Sequence, residues 1–95
     1  MEIIEIENKK YRGISLPTEN STILLIQGKK GFIGCSYFQI ETANKLHEVV
    51  AIVTKVKSYD DMLKTQVIKV SDNAKLIGIE IGMEGKDALT IIGGI

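Results

Sequence analysis

Tryptophan is absent from this 95-residue chain, proline and cysteine occur once each, and the aromatic complement is two Phe and three Tyr. Each scarcity excludes something. With so few rings, a core has to be built from branched aliphatic side chains, and isoleucine alone occurs 16 times. One cysteine, Cys35, cannot close an internal disulfide. A disulfide-stapled secreted scaffold is therefore ruled out, and a cytoplasmic setting is the expectation, in keeping with an N-terminus that lacks a hydrophobic signal segment. No apolar run approaches the roughly 18 residues of a membrane helix. The longest, residues 23–26 and 49–53, have the length of strands.

Charge of either sign is also missing on balance, since 12 Lys+Arg face 12 Asp+Glu. Sequence-independent attraction to phosphate backbones or anionic membranes has no electrostatic basis here, so neither nucleic acid nor membrane is an expected partner. Arg12 is the only arginine, which leaves little capacity for bidentate recognition of phosphate or carboxylate. The partner to expect is a second copy of the chain. A domain this small buries a modest fraction of its surface and has no disulfide to compensate, and a subunit interface supplies the missing burial.

What is present reads as a single α+β domain over residues 1–95, with an N-terminal β region over 1–30 and an α/β core over 31–95. Glu2-Ile3-Ile4-Glu5-Ile6-Glu7 partly alternates apolar and charged residues, as a half-exposed strand does, and Asn8-Lys9-Lys10 is the expected turn into a second strand over 11–16. Pro17 ends that strand, having no N–H to donate. Residues 22–27 are apolar on both faces of a strand, and Gly28-Lys29-Lys30-Gly31 turns the chain back through a strand over 32–35.

The period then changes. Ala43, Leu46 and Val50 follow Ile40 at the spacing of one helix face, which predicts a helix over 41–49, and the β-branched run 51–56 predicts the next strand. Residues 32–56 thus form a strand-helix-strand unit, whose crossover makes the two strands parallel. Short helices follow. Ser58, with Asp61 three residues on, opens one that runs to Leu63 or Lys64, and Ser71 caps another that stops at Gly78. A short strand at 67–70 and an extended stretch at 79–81 are expected around them. Gly82-Met83-Glu84-Gly85 leads into a final helix with Ala88, Leu89 and Ile92 facing inward. The whole is a mixed β-sheet: an N-terminal antiparallel region, a strand-helix-strand core, then short helices.

Several of these segments resemble one family. Gly31-Phe32-Ile33-Gly34-Cys35, the helix after it, the stretch from Val56 to Leu63 and the closing Gly82-Met83-Glu84-Gly85-Lys86-Asp87-Ala88-Leu89 are together similar to the YunC-like domain of unknown function of bacteria and archaea, over residues 22–92. The resemblance implies an N-terminal β region that joins subunits into tetramers. It implies no activity. Ser36 departs from the pattern, because relatives usually carry Gly after the cysteine.

Candidate site residues follow from position. Cys35 is expected at the C-terminal end of a strand that feeds a helix, where open α/β sheets place ligands and where a helix N-terminus lowers a thiol pKa. The opposing reading is that free cysteine is among the most buried residue types and fills space. His47, the only histidine, is predicted on the solvated side of the first helix. Gly31 and Gly34 flank the strand before the first helix, and Gly82 and Gly85 precede the last, so backbone amides at those starts could cradle an anion. Tight turns and close packing account for the same glycines. Neither a Rossmann fingerprint nor a P-loop is matched. Asp60 and Asp61 are adjacent and point apart on a helix, which makes them first-turn charges and leaves no metal set and no cofactor implied. The candidate ligand-binding set is therefore Gly31, Gly34, Cys35, Ser36, Gly82 and Gly85, with Cys35 the one candidate nucleophile. Two functions stay open: a non-enzymatic oligomeric binding or accessory domain, and a thiol-dependent enzyme or small-ligand binder that uses Cys35.

Overall fold

Ten short elements succeed one another along the chain, and the computed structural model describes all of it, Met1–Ile95. They are β1 (Glu2–Ile6), β2 (Lys9–Pro17), β3 (Thr22–Gln27), β4 (Gly31–Gly34), α1 (Ile40–Lys45), β5 (Val49–Ile52), α2 (Tyr59–Lys64), β6 (Lys69–Val70), α3 (Asp72–Leu76) and α4 (Gly85–Ile92). The six strands make one mixed sheet in sequence order, an α+β fold. Every neighbouring pair is antiparallel except β4 and β5, which run parallel across the α1 crossover, with Phe32 opposite Val50 and Gly34 opposite Ile52. No helix is long and apolar enough to cross a membrane.

The alternation of side chains sorts the sheet into two faces. Tyr11, Leu24, Ile26, Ile33, Ala51 and Val53 point to the inner face and are closed over by Met62 of α2 and by Ala88, Leu89 and Ile92 of α4, all of them buried. This is the main core, and it is aliphatic, as the composition requires. A smaller core lies on the outer face of β4 and β5, where Ala43 of α1 packs on Val50 and Ile52 with Phe32, Phe38 and Ile40 around it. The outer face of β1–β3 carries no helix. Leu16 pairs there with Ile23 and Ile14 with Leu25, and Leu16 and Ile3, which lies opposite Arg12 on the same face, are both more than half exposed, at 57% and 58%.

Caps fix the ends of the helices. The Ser58 hydroxyl accepts from the Asp61 N–H, and the Asp61 carboxylate accepts from the Lys57 N–H at 3.0 Å, a variant of the capping box displaced by one residue. Ser71, fully buried, does more. Its hydroxyl accepts from the Ala74 and Val50 N–H groups and donates to the Glu48 carbonyl at 2.8 Å, so one side chain caps α3 and also fastens it to the start of β5.

Four local expectations are corrected by the structure. The first hairpin turns on Glu7 and Asn8, both left-handed with φ of 50° and 67°, so Lys9 and Lys10 belong to β2. A two-residue turn of this hand matches the twist of the strands it joins. Helix α1 stops at Lys45 rather than 49, because His47 takes φ of 57°: its N–H donates to the Asn44 carbonyl and the Glu48 N–H to the Ala43 carbonyl, a Schellman ending. That early stop lets β5 begin at Val49, two residues before the predicted strand. Only Lys69 and Val70 of the 67–70 run join the sheet as β6, since Val67 pairs instead with the chain before α4, donating to the Met83 carbonyl and accepting from the Gly82 N–H. Residues 79–81 lie outside the sheet, with Ile79 buried and Ile81 exposed.

Candidate functional site

Where β4 ends, the chain bends so that a thiol takes the place of a carbonyl. The Cys35 N–H still donates to the Leu24 carbonyl at 3.0 Å, as a ladder bond, but the Cys35 carbonyl has turned away to accept from the Phe38 N–H. The Leu24 N–H is left facing the Cys35 side chain and donates to Sγ at 3.4 Å. Cys35 is 6% exposed and belongs to the main core. Its outward side borders a depression of about 370 Å³ formed with Ser21, Thr22, Ser36, Tyr37 and the segment Lys55–Lys57. Lys55 holds a left-handed backbone, φ 59°, at the C-terminal end of the parallel pair.

Of the remaining candidates, Gly34 and Ser36 flank Cys35 in the chain, and Gly31, Gly82 and Gly85 lie outside its depression. Gly31 opens β4 at the opposite end of that strand, and a Cβ there would collide with the Val49 carbonyl of the neighbouring strand. Gly34 lies under the Phe38 ring, where a Cβ would come 2.6 Å from Cδ2. Gly82 takes φ of 100° with open space around it, and Gly85 is pressed against the Met62 carbonyl, where α4 begins over α2. None of these four glycines lines a surface depression; Ser36, exposed, shares the one beside Cys35.

His47 stands at the N-terminal end of β5 and Cys35 beyond the C-terminal end of β4. Since the two strands are parallel, the residues sit at opposite ends of the pair and form no dyad. The Asp60 carboxylate is paired with Lys64 at 2.9 Å, one helical turn on, which raises the pKa of that exposed lysine, and Asp61 is engaged as a cap. Elsewhere the titration of two tyrosines is perturbed. Burial pushes the phenols of Tyr11 and Tyr59 up, with a smaller contribution from the negative charge of Glu7 in one case and Glu2 in the other.

A second depression went unread in the sequence. Phe32, Tyr37, Phe38, Gln39, Thr42, Ala43, Leu46, Glu48 and Val50 surround a groove of about 380 Å³ between α1 and the outer face of β4–β5. Its floor comes from strands and its wall from a helix, so residues up to 18 apart in sequence converge with no shared motif. The nearest sequence signal was Phe32 and Phe38, whose rings meet edge to face at 5.3 Å.

Comparisons agree with the family resemblance seen in the motifs. Residues 34–92 match the family model described as "Domain of unknown function (DUF1805)". The fold is similar to the crystal structure of a protein of unknown function, TA1206, from Thermoplasma acidophilum, with 34% identity and a TM-score of 0.92 over 97% of this chain and 90% of that one. No curated protein matches the chain.

Proposed function

The chain belongs to the DUF1805 family, and we propose that it works as a non-enzymatic, homo-oligomeric binding or accessory domain of the cytoplasm, its subunits joined through the uncovered outer face of β1–β3. One observation carries this reading: Ile14, Leu16, Ile23 and Leu25 form a contiguous apolar block on a sheet face without a helix over it, extended on β1 by Ile3. An antiparallel sheet that faces water on one side carries polar residues there, and a broad apolar patch on such a face marks an interaction surface. The rim of the same face holds Glu5, Lys10, Arg12 and Gln27, so a copy related by a two-fold axis can set opposite charges against each other. A tetramer is the count implied by the YunC-like resemblance. The exposed edge of β1 offers a second two-fold contact of the kind a tetramer needs, by extension of the sheet.

Support for a non-enzymatic role is the separation of the chemically active side chains: His47 from Cys35, and both Asp60 and Asp61 engaged in local contacts. Support for the cytoplasm is the unpaired thiol of Cys35. Leu16→Glu and Ile14→Glu test the face, since both side chains are exposed in the single chain and their replacement leaves the core intact. Sedimentation of either variant at a lower mass than the parent is the expected result; an unchanged mass removes the face from the account.

A thiol site at Cys35 is the second reading, favoured by the two lysines, Lys55 and Lys57, that share its depression with Ser36. Its test is the alkylation rate of the native protein across alkaline and acid pH against the unfolded chain. Fast native labelling with an apparent pKa well below the free-thiol value of about 8.5 supports the site; labelling only after unfolding leaves Cys35 as core and ladder acceptor.

A further inference from the structure

Three of the chain's five aromatic side chains, Phe32, Tyr37 and Phe38, are gathered around the groove between α1 and the sheet, and Glu48 is the one formally charged residue that lines it. We propose that this groove binds a small organic ammonium ion with an apolar body, the aromatic rings receiving the cation and Glu48 supplying the counter-charge. A cation is attracted to the faces of aromatic rings by their quadrupole, and an adjacent carboxylate adds a full charge of the matching sign. The volume, about 380 Å³, is that of a small-molecule site.

The placement of Glu48 supports this assignment. Its N–H donates to the Ala43 carbonyl and its carbonyl accepts from the Ser71 hydroxyl, so its backbone is held on both sides. Its carboxylate takes part in no ion pair and no hydrogen bond, which leaves the charge free for a ligand. An anionic ligand finds no Lys, Arg or His among the lining residues, and a neutral apolar one gains nothing from the Glu48 charge. Tyr37 and Leu46, 56% and 65% exposed, are the side chains a ligand would cover. All lining residues come from one chain, so the inference is independent of the assembly proposed above.

The test is a titration of the native protein with hexyltrimethylammonium and, separately, with hexanol, which has the same apolar body without the charge, followed through the amide resonances of Thr42, Leu46 and Glu48. Saturable shifts at these positions are expected with the cation, at an affinity roughly tenfold above that of the alcohol. Glu48→Gln, a change at an exposed side chain whose backbone bonds remain, should abolish most of that preference and leave hexanol binding unchanged. Phe32→Leu should weaken both. Equal affinity for cation and alcohol, an unchanged preference in Glu48→Gln, or no saturable shift at the groove overturns the proposal.

Discussion

The hydroxyl of Tyr11 donates a hydrogen bond of 3.1 Å to the carbonyl of Leu89, 78 residues away, and so ties the second strand to the last helix through the middle of the core. Tyr11 is 1% exposed. Tyr11→Phe keeps the ring and leaves the Leu89 carbonyl with one partner fewer, a loss of about 1 kcal/mol in urea unfolding.

The same burial gives stability a dependence on alkaline pH. The folded-state pKa of Tyr11 is raised above the unfolded value near 10.0, so the folded chain holds this proton when the unfolded chain has released it. The stabilising contribution is whole below pH 10 and declines as the pH rises through the raised folded pKa. Tyr59 acts in the same direction. Unfolding free energy should therefore decline above about pH 10, and the decline should be shallower in Tyr11→Phe.

Ser71 is the one fully buried polar side chain, and it makes three hydrogen bonds. Ser71→Ala strands the Val50 N–H and the Glu48 carbonyl as well as uncapping α3. The expected cost is about 2 kcal/mol, above that of an ordinary cap because groups of β5 lose partners too. Chemical denaturation measures it, and a cost no larger than that of an exposed cap would show that water replaces the hydroxyl.

Gly82 and Gly85 lie three residues apart in one motif, yet they are glycine for different reasons. A Cβ at Gly82 meets open space, so Gly82→Ala pays only for a left-handed φ, on the order of 1–2 kcal/mol. At Gly85 the obstacle is the Met62 backbone, and Gly85→Ala must move α4 away from α2. Overpacking of this kind typically costs about 1–3 kcal/mol, occasionally more, and falls at the upper end where backbone is the obstacle. Comparing the two melting temperatures checks the order, Gly85→Ala the lower.

His47 occupies the left-handed position that closes α1, which glycine adopts without strain. His47→Gly should stabilise the chain by up to about 1 kcal/mol in the same unfolding assay, less the entropy that glycine loses on folding.

Much of this architecture was legible because its signals are local. Ser58, Ser71 and Gly78 announce helix ends by their chemistry, the 32–56 segment changes period where the fold changes element, and Ala88, Leu89 and Ile92 fall on one helical face. The misplacements trace to residues that carry no such signal. Glu7 and His47 adopt left-handed backbones that a sequence would assign to glycine or asparagine, so the first turn and the start of β5 moved by one or two residues and the end of α1 by four. Val67 was drawn away from β6 by partners 15 and 16 residues further on.

The candidate sites divide the same way. Cys35 at the end of its strand was readable, while its role as acceptor for Leu24 depends on where one carbonyl turns. The aromatic groove was not readable at all, because Phe32 and Glu48 meet only after β4 and β5 pair in parallel.

The molar mass of the unmodified protein at low micromolar concentration, measured by light scattering during size-exclusion chromatography, tests the central claim most directly. A mass at least twice 10.5 kDa, four-fold for the tetramer, is the predicted result. A single species of 10.5 kDa would contradict it, and the apolar face of β1–β3 would then need an occupant other than a second copy of the chain.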